Sequence, residues 1–465
     1  MIPQWELRAA FARSLSEMYG REVPAYRPLL RVSAEVNAEV QAKNGAAAER
    51  LGTVDRVTAE RHGAIRVGTP AELRDVGGVF AAFGMHPVGF YDLRDASASS
   101  VPVVSTAFRP LDADELARNP FRVFTSVLVT DDRRFFDASL QQRLEAFLSR
   151  RTLFPPEVLE LAAKAEAQRG LAPSDAEKLL SGATACFALS AEPIDRAWYD
   201  ELSQVSAVAA DIGGVTSTHI NHLTPRVLDI DELYRRMSYL GIALTDEIQC
   251  PPPWEGPDVL LRQPAFRALA EPRLFSDGAG ALRVRFGEVE ARGIALTAGG
   301  RARYDELLTD VDRRVSASGR PRVEVAAEVW RENLPRTEED LDRQGLGAFT
   351  YRAAAGVGDS MSHRVPSGAL DGTSSIHDLV AAGHAVREPI VYEDFLPRSA
   401  AGIFQSNLTE AGSRDDAATG TSRDAGWIAE ALGREVTDPI LDCAEQTRAS
   451  LRTLATHLNL ALETR

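Results

Sequence analysis

At 465 residues, 44% hydrophobic and 26% charged, the chain has an ordinary globular composition and can bury a sizeable core. A net charge of −15 argues against broad binding to nucleic acid or an acidic membrane surface, because phosphate binding needs clustered Lys and Arg. Cys186, Cys250 and Cys443 are too few and too scattered for a disulfide framework or a cysteine-built metal site, which fits a reducing cytoplasm.

The opening Met1-Ile2-Pro3-Gln4-Trp5 lacks the basic and apolar blocks of a secretory leader. No apolar run reaches the roughly 18 residues of a membrane span, so a cytoplasmic location is expected. Helix is predicted over 5–50, where Leu7, Phe11, Leu15 and Met18 recur at helical spacing, with a break at Val23-Pro24. Over 61–93, short extended segments should flank a helix that starts at Pro70 and is capped by Thr69. Segments 101–108 and 121–129 are rich in β-branched and aromatic residues and read as strands. Residues 133–205 read as helix, strands should resume near 206–223 and at 282–289, and the end from 425 to 462 reads as helix. Residues 354–375 and 410–424 are rich in small polar residues and read as loops, the first of them mobile.

The expected fold is α+β, a central and mostly antiparallel sheet with helical insertions. It forms one large elaborated domain over 1–465: a helical part at about 1–55, a sheet core at about 56–300 and a mixed part at about 301–465.

Three segments concentrate ligand chemistry: Arg61–Thr69, Thr218–Arg226 and Arg285–Glu290. They offer two imidazoles and a carboxylate, a set that suits a mononuclear Fe(II) with coordination positions left open for O2. If 61–67 is a strand, His62, Ala64 and Arg66 share one face, with the His62 and Arg66 Cα atoms about 13 Å apart. On a helix the two would lie about 6 Å apart. A surface histidine beside a salt-bridging arginine would give the same local pattern.

On a strand His219 and His222 point to opposite faces, so at most one enters a site. Either could instead be a core histidine or hold the turn ending at Pro225. Glu288 ends an apolar row with Leu282, Val284 and Phe286, where a carboxylate needs a partner. Glu290 has the same parity and is equally placed. Arg109 and Arg122 read as structural salt bridges, and Glu393-Asp394 as a solvated turn. The sequence contains no GxGxxG opening a βαβ unit, no phosphate-binding P-loop, no GxSxG and no HExxH.

Eight segments, in order along the chain, resemble the 2-oxoadipate dioxygenase/decarboxylase family, also called hydroxyglutarate synthases. They are RHGAIRVGT (61–69), VGFYDL (88–93), STAFRP (105–110), NPFRVFTS (119–126), HINHLTPRVLDID (219–231), LLRQPAFRAL (260–269), RFGEVEARGIALT (285–297) and VYEDFLPRSAAGIFQSNL (391–408). The resemblance implies a curved sheet related to the vicinal-oxygen-chelate enzymes, with the metal inside its concave face. It assigns the ligands to His62, His222 and Glu288, leaves His219 to support them from behind, and gives Arg66 the substrate's far carboxylate.

It also brings the loop with Arg398 and Ser399 to the substrate; most of the family carries an apolar residue where Arg398 stands, which changes the charge of the pocket. The implied reaction is the Fe(II)-dependent conversion of 2-oxoadipate and O2 to 2-hydroxyglutarate and CO2, a step of lysine breakdown. Another 2-oxo acid on the same metal, a non-redox Zn or Mn isomerase or lyase, and a binding protein with a degraded site are the competing readings. The oligomeric state is left open.

Overall fold

The computed structural model describes all residues except 96–100, 243–250, 267–269, 284, 286, 356–374, 398–412 and 459–465. The chain begins with β1 (Ile2–Pro3), α1 (Gln4–Glu22) and α2 (Tyr26–Asn44), then α3 (Val54–Ala59). As the spacing predicts, α1 buries Leu7, Phe11, Leu15 and Met18. There follow β2 (Arg61–Val67), α4 (Pro70–Ala82), β3 (His86–Asp92), β4 (Val103–Arg109), α5 (Ala113–Arg118) and β5 (Arg122–Leu128). The start of α4 is a capping box. Thr69 Oγ1 accepts from Glu72 N at 3.1 Å, and the Glu72 carboxylate accepts from Thr69 N at 3.2 Å.

A helical stretch then holds α6 (Ala138–Leu148), α7 (Pro156–Gln168), the short β6 (Gly170–Leu171), α8 (Pro173–Cys186), α9 (Arg196–Val205) and α10 (Ala207–Gly213). β7 (His222–Pro225) and α11 (Ile230–Tyr239) close it. The main sheet runs in the order β3-β4-β5-β2-β7. Its pairings are antiparallel except β2 with β5, which is parallel.

Strand alternation divides the interior. Ile65, Val67, Val104, Phe108, Val123, Val127 and Leu223 pack with α1 and α4 in one core. Ala64, Ala107, Phe124 and Leu128 face the other way, into a second core with α6, α9, α10 and Phe395. A third core is built by 259–261 and 294–296 with the helices Ala298–Ser318 and Arg322–Asn333.

Two strand expectations are corrected. Between 206 and 223 the chain forms α10 and only the short β7. α10 is buried from Val208 to Gly213, and a short apolar run that is buried all round has no period to distinguish helix from strand. Near 282–289 the hairpin strand Gly278–Leu282 stops at Leu282. Arg285 instead turns inward to Glu22 at 2.5 Å and Glu271 at 2.8 Å, and Glu288 and Glu290 form isolated bridges to Ala265 and Arg226. Val284 and Phe286, the middle of the expected apolar row, lie outside the described residues.

The loop expected at 354–375 falls mostly outside them too, and the described 413–424 is irregular. The final helix is two, Ala425–Leu432 and Pro439–Leu458; the first ends at Gly433, whose φ of 65° is left-handed. Among the described residues no helix is long and apolar enough to cross a membrane.

Candidate metal centre

His62, Ala64 and Arg66 project from one face of β2, as the strand reading predicts. β7 pairs antiparallel with it, so that Thr224 lies opposite His62 and His222 opposite Ala64. Residues opposite each other in such a pair share a face, which puts His222 and Thr224 on the side of His62. Gly63 allows the approach: a Cβ there would meet Ile220 Cδ1 at 2.8 Å. Glu288 arrives on its bridge to Ala265.

The ligand-capable atoms of His62, His222 and Glu288 all lie within 4.8 Å of one another, and all three residues are buried. Glu288 Oε2 is 3.5 Å from His62 Nε2, and Oε1 is 3.4 Å from His222 Nε2. Each group is held from behind. His62 Nδ1 meets Glu290 Oε2 at 2.7 Å. Arg292 grips both oxygens of Glu290 at 2.8 Å, and Arg122 adds a contact at 3.3 Å. His222 Nδ1 is 3.0 Å from Thr224 Oγ1, which donates to Glu288 Oε2 at 3.3 Å. That hydroxyl therefore accepts from Nδ1–H. The network assigns His222 the tautomer with Nδ1 protonated and Nε2 a lone-pair donor toward the common point, which His62 Nε2 also faces. Gln263 Nε2 donates to Glu288 and lies 3.2 Å from His62 Nε2.

Two imidazole nitrogens and a carboxylate converging in a buried space fit a divalent metal. The electrostatics of His222 and Glu288 agree with this. Burial pushes His222 down to about 4, although Glu288 works against this, so its ring is neutral near pH 7. Burial also acts to lower His62, but Glu290 and Glu288 outweigh it and raise its pKa. Burial would raise Glu288, yet His222, His62 and Gln263 hold it below the ordinary carboxylate range.

Arg66 and His219 form a second polar cluster beside the first. Arg66 Nη1 donates to Asp211 Oδ2, which also accepts from Asn221 Nδ2 at 3.0 Å. His219 Nε2 lies 3.5 Å from Asp211 Oδ1 and 3.2 Å from Asn221 Nδ2. His219 is thus in contact with the partner of Arg66, while the residues directly behind the triad are Glu290, Thr224 and Gln263.

Arg109 and Arg122 are structural, as expected: Arg109 pairs with Asp394 at 2.8 Å, and Arg122 with Glu60 at 2.6 Å and with Glu393. The solvated turn expected at Glu393-Asp394 is corrected by the same contacts, since both carboxylates are buried against these guanidinium groups. Arg398 and Ser399 lie outside the described residues. Thr224 was legible, as the i+2 neighbour of His222 on a strand; Gln263, Asp211 and Asn221 had no local signal.

A sequence profile described as 2-oxoadipate dioxygenase/decarboxylase matches residues 11–407. The chain belongs to this family. Among curated members of the 2-oxoadipate dioxygenase/decarboxylase family, one from Mycobacterium tuberculosis is 53% identical over 439 residues, covering 93% of this chain and 94% of its own. Another, from Pseudomonas putida, is 39% identical and covers 98% of this chain and 97% of its own. The crystal structure of the Pseudomonas putida hydroxyglutarate synthase in complex with 2-oxoadipate superposes with a TM-score of 0.85 at 37% identity, covering 99% of each chain. The mixed α+β architecture is therefore that of the family.

Proposed function

We propose that this protein is an Fe(II)-dependent dioxygenase/decarboxylase that converts a 2-oxo diacid, 2-oxoadipate first of all, and O2 to 2-hydroxyglutarate and CO2. The observation that carries the reading is the convergence of His62 Nε2, His222 Nε2 and Glu288 on the strand face that also bears Arg66. The scaffold is read as a curved sheet of the vicinal-oxygen-chelate kind within one elaborated domain, and the step as part of lysine breakdown in the cytoplasm.

His62, His222 and Glu288 would hold the iron. When bound, that metal supplies open positions for a 2-oxo acid and O2 and the electrons that activate O2. The remaining work belongs to side chains. Glu290 keeps a proton on His62 Nδ1 and fixes the ring, and Thr224 does the same for His222. Arg66 binds the far carboxylate and so places the carboxyl end of the substrate at the triad. Phe395, edge-on to His62 at 5.1 Å between ring centroids, and Phe124, 5.0 Å from Phe395, wall the space against water.

Arg398 and Ser399 are proposed substrate contacts on the strength of the resemblance alone, and His219 supports from behind Arg66. The substrate loses its first carboxyl carbon as CO2; one oxygen atom completes the new carboxylate and the other becomes the adjacent hydroxyl, so no second oxo-acid is consumed.

The test is O2 uptake by Fe(II)-loaded protein on adding 2-oxoadipate, with mass detection of 2-hydroxyglutarate. We expect uptake matched to product, and loss of both, by at least about a thousandfold, in His222→Ala and Glu288→Ala. Turnover of a 2-oxo acid by Zn(II)-loaded protein without O2 uptake would overturn the oxygenase reading.

A further inference from the structure

We propose that Asp211, clamped by Asn221 and His219, is the positioning residue that fixes the Arg66 guanidinium and thereby selects a dicarboxylic substrate of one length. The inference rests on the functional reading above and adds the device that sets its specificity.

A guanidinium at the end of a flexible side chain is a poor ruler unless something holds it. Asp211 lies on α10, 5% exposed, and no contact ties its carboxylate to His62, His222 or Glu288. Its Oδ2 takes Arg66 Nη1 and Asn221 Nδ2, while Oδ1 faces His219 Nε2. Burial alone would raise the Asp211 pKa, but the Arg66 charge and the hydrogen bonds from Arg66 and Asn221 help hold it below the ordinary range, so the clamp stays ionised. His219 is pushed down to about 4 by burial and is neutral near pH 7. The negative charge of Asp211 therefore faces Arg66.

The clamp is also tied to the strand that carries the metal-binding histidine. Asn221 N donates to Ala64 O at 2.8 Å, and Thr218 Oγ1 donates to Arg66 O at 2.7 Å. His62 and Arg66 lie four residues apart on one face of that strand, about 13 Å between Cα atoms. The span from triad to guanidinium is thus set by one strand and one clamp. This also accounts for the sequence His219-Ile220-Asn221-His222: His219 and Asn221 serve the clamp, and His222 the triad.

The experiment compares binding of 2-oxoadipate with that of 2-oxohexanoate, the same chain without the far carboxylate, to Fe(II)-loaded full-length protein under anaerobic calorimetry. Wild type should prefer the diacid. In Asp211→Asn the ratio of the two affinities should fall by roughly tenfold or more, the usual cost of losing a hydrogen bond to a charged group. Asp211→Glu, which keeps the charge but lengthens the arm, should retain part of the preference and move it away from six carbons when diacids of five to seven carbons are compared.

Equal loss of both ligands in Asp211→Asn, or an unchanged ratio, would overturn the proposal. So would a wild type that binds both acids alike. Should Asp211→Asn not fold, Asn221→Ala releases the clamp with the carboxylate in place, and its ratio must also fall. O2 uptake is scored separately: preference without uptake sinks the oxygenase reading alone, and uptake with a flat ratio sinks this inference alone.

Discussion

His62 and His219 are both buried imidazoles facing a carboxylate, yet they come to opposite electrostatic states. Burial disfavours the charge on each. For His62 a carboxylate at 2.7 Å, with a second at 3.5 Å, reverses that effect and raises the pKa. For His219 the nearest carboxylate oxygen is at 3.5 Å, and Arg273, Arg285 and Arg66 add to the burial, leaving the ring at about 4. The difference lies in the number and sign of the surrounding charges: two carboxylates act on His62, whereas one carboxylate is set against three guanidinium groups at His219. It also separates their places: His62 Nε2 faces Glu288, whereas His219 Nε2 faces Asp211.

Removing the nearer carboxylate should break the contrast most strongly. Glu290→Gln leaves His62 an uncharged partner, and the affinity of the folded protein for Fe(II), measured by anaerobic titration, should fall by about tenfold to a hundredfold. Unchanged affinity would show that Glu290 serves only Arg122 and Arg292.

Acid titration sharpens the comparison at the His219 end. The unfolded chain takes up a proton near the ordinary imidazole pKa of about 6.5, whereas folded His219 does so only at about 4. The unfolded state therefore binds more protons between those values, and stability is lost as pH falls through that window. Below it both states are protonated and this loss stops. The slope is up to about 1.4 kcal/mol per pH unit. The Tm of metal-free His219→Gln should therefore decline less steeply than wild type over that window, and identical slopes would refute the assignment. The smallest effect expected is on metal: the same His219→Gln should change Fe(II) affinity far less than Glu290→Gln, and an equal loss would place His219 behind the triad itself.

Part of this site could be read before any fold was known: local rules marked the three segments, and the resemblance chose His62, His222 and Glu288 within them. The alternation through His62, Ala64 and Arg66 survives in β2, and Thr69 caps α4 as its spacing with Pro70 and Glu72 requires. The choice between Glu288 and Glu290 could not be made that way. Their equal parity is real, and the fold uses both: the His62 ring lies between them, Glu288 on the Nε2 side and Glu290 on the Nδ1 side. The expected strands near 206–223 failed for a related reason, since α10 is buried all round and shows no polar face to reveal its period. Glu393 and Asp394 were misread because adjacent carboxylates favour water unless guanidinium groups from distant segments meet them; Arg56, Arg109 and Arg122 do.

The sequence by itself determined the helices of the first 50 residues and the three segments that hold the triad, and it offered the strand bearing His62 and Arg66 as one of two readings. Periodicity, capping and ligand chemistry act within a few residues, so they are written locally. Only the tertiary structure decided which nitrogen of each histidine faces the common point, that Glu290 stands behind His62, and that Asp211 from α10 holds Arg66. Those contacts join residues far apart in the chain, and burial is what makes each of them matter: away from water, every charge must find a partner, and which partner is within reach depends on the fold.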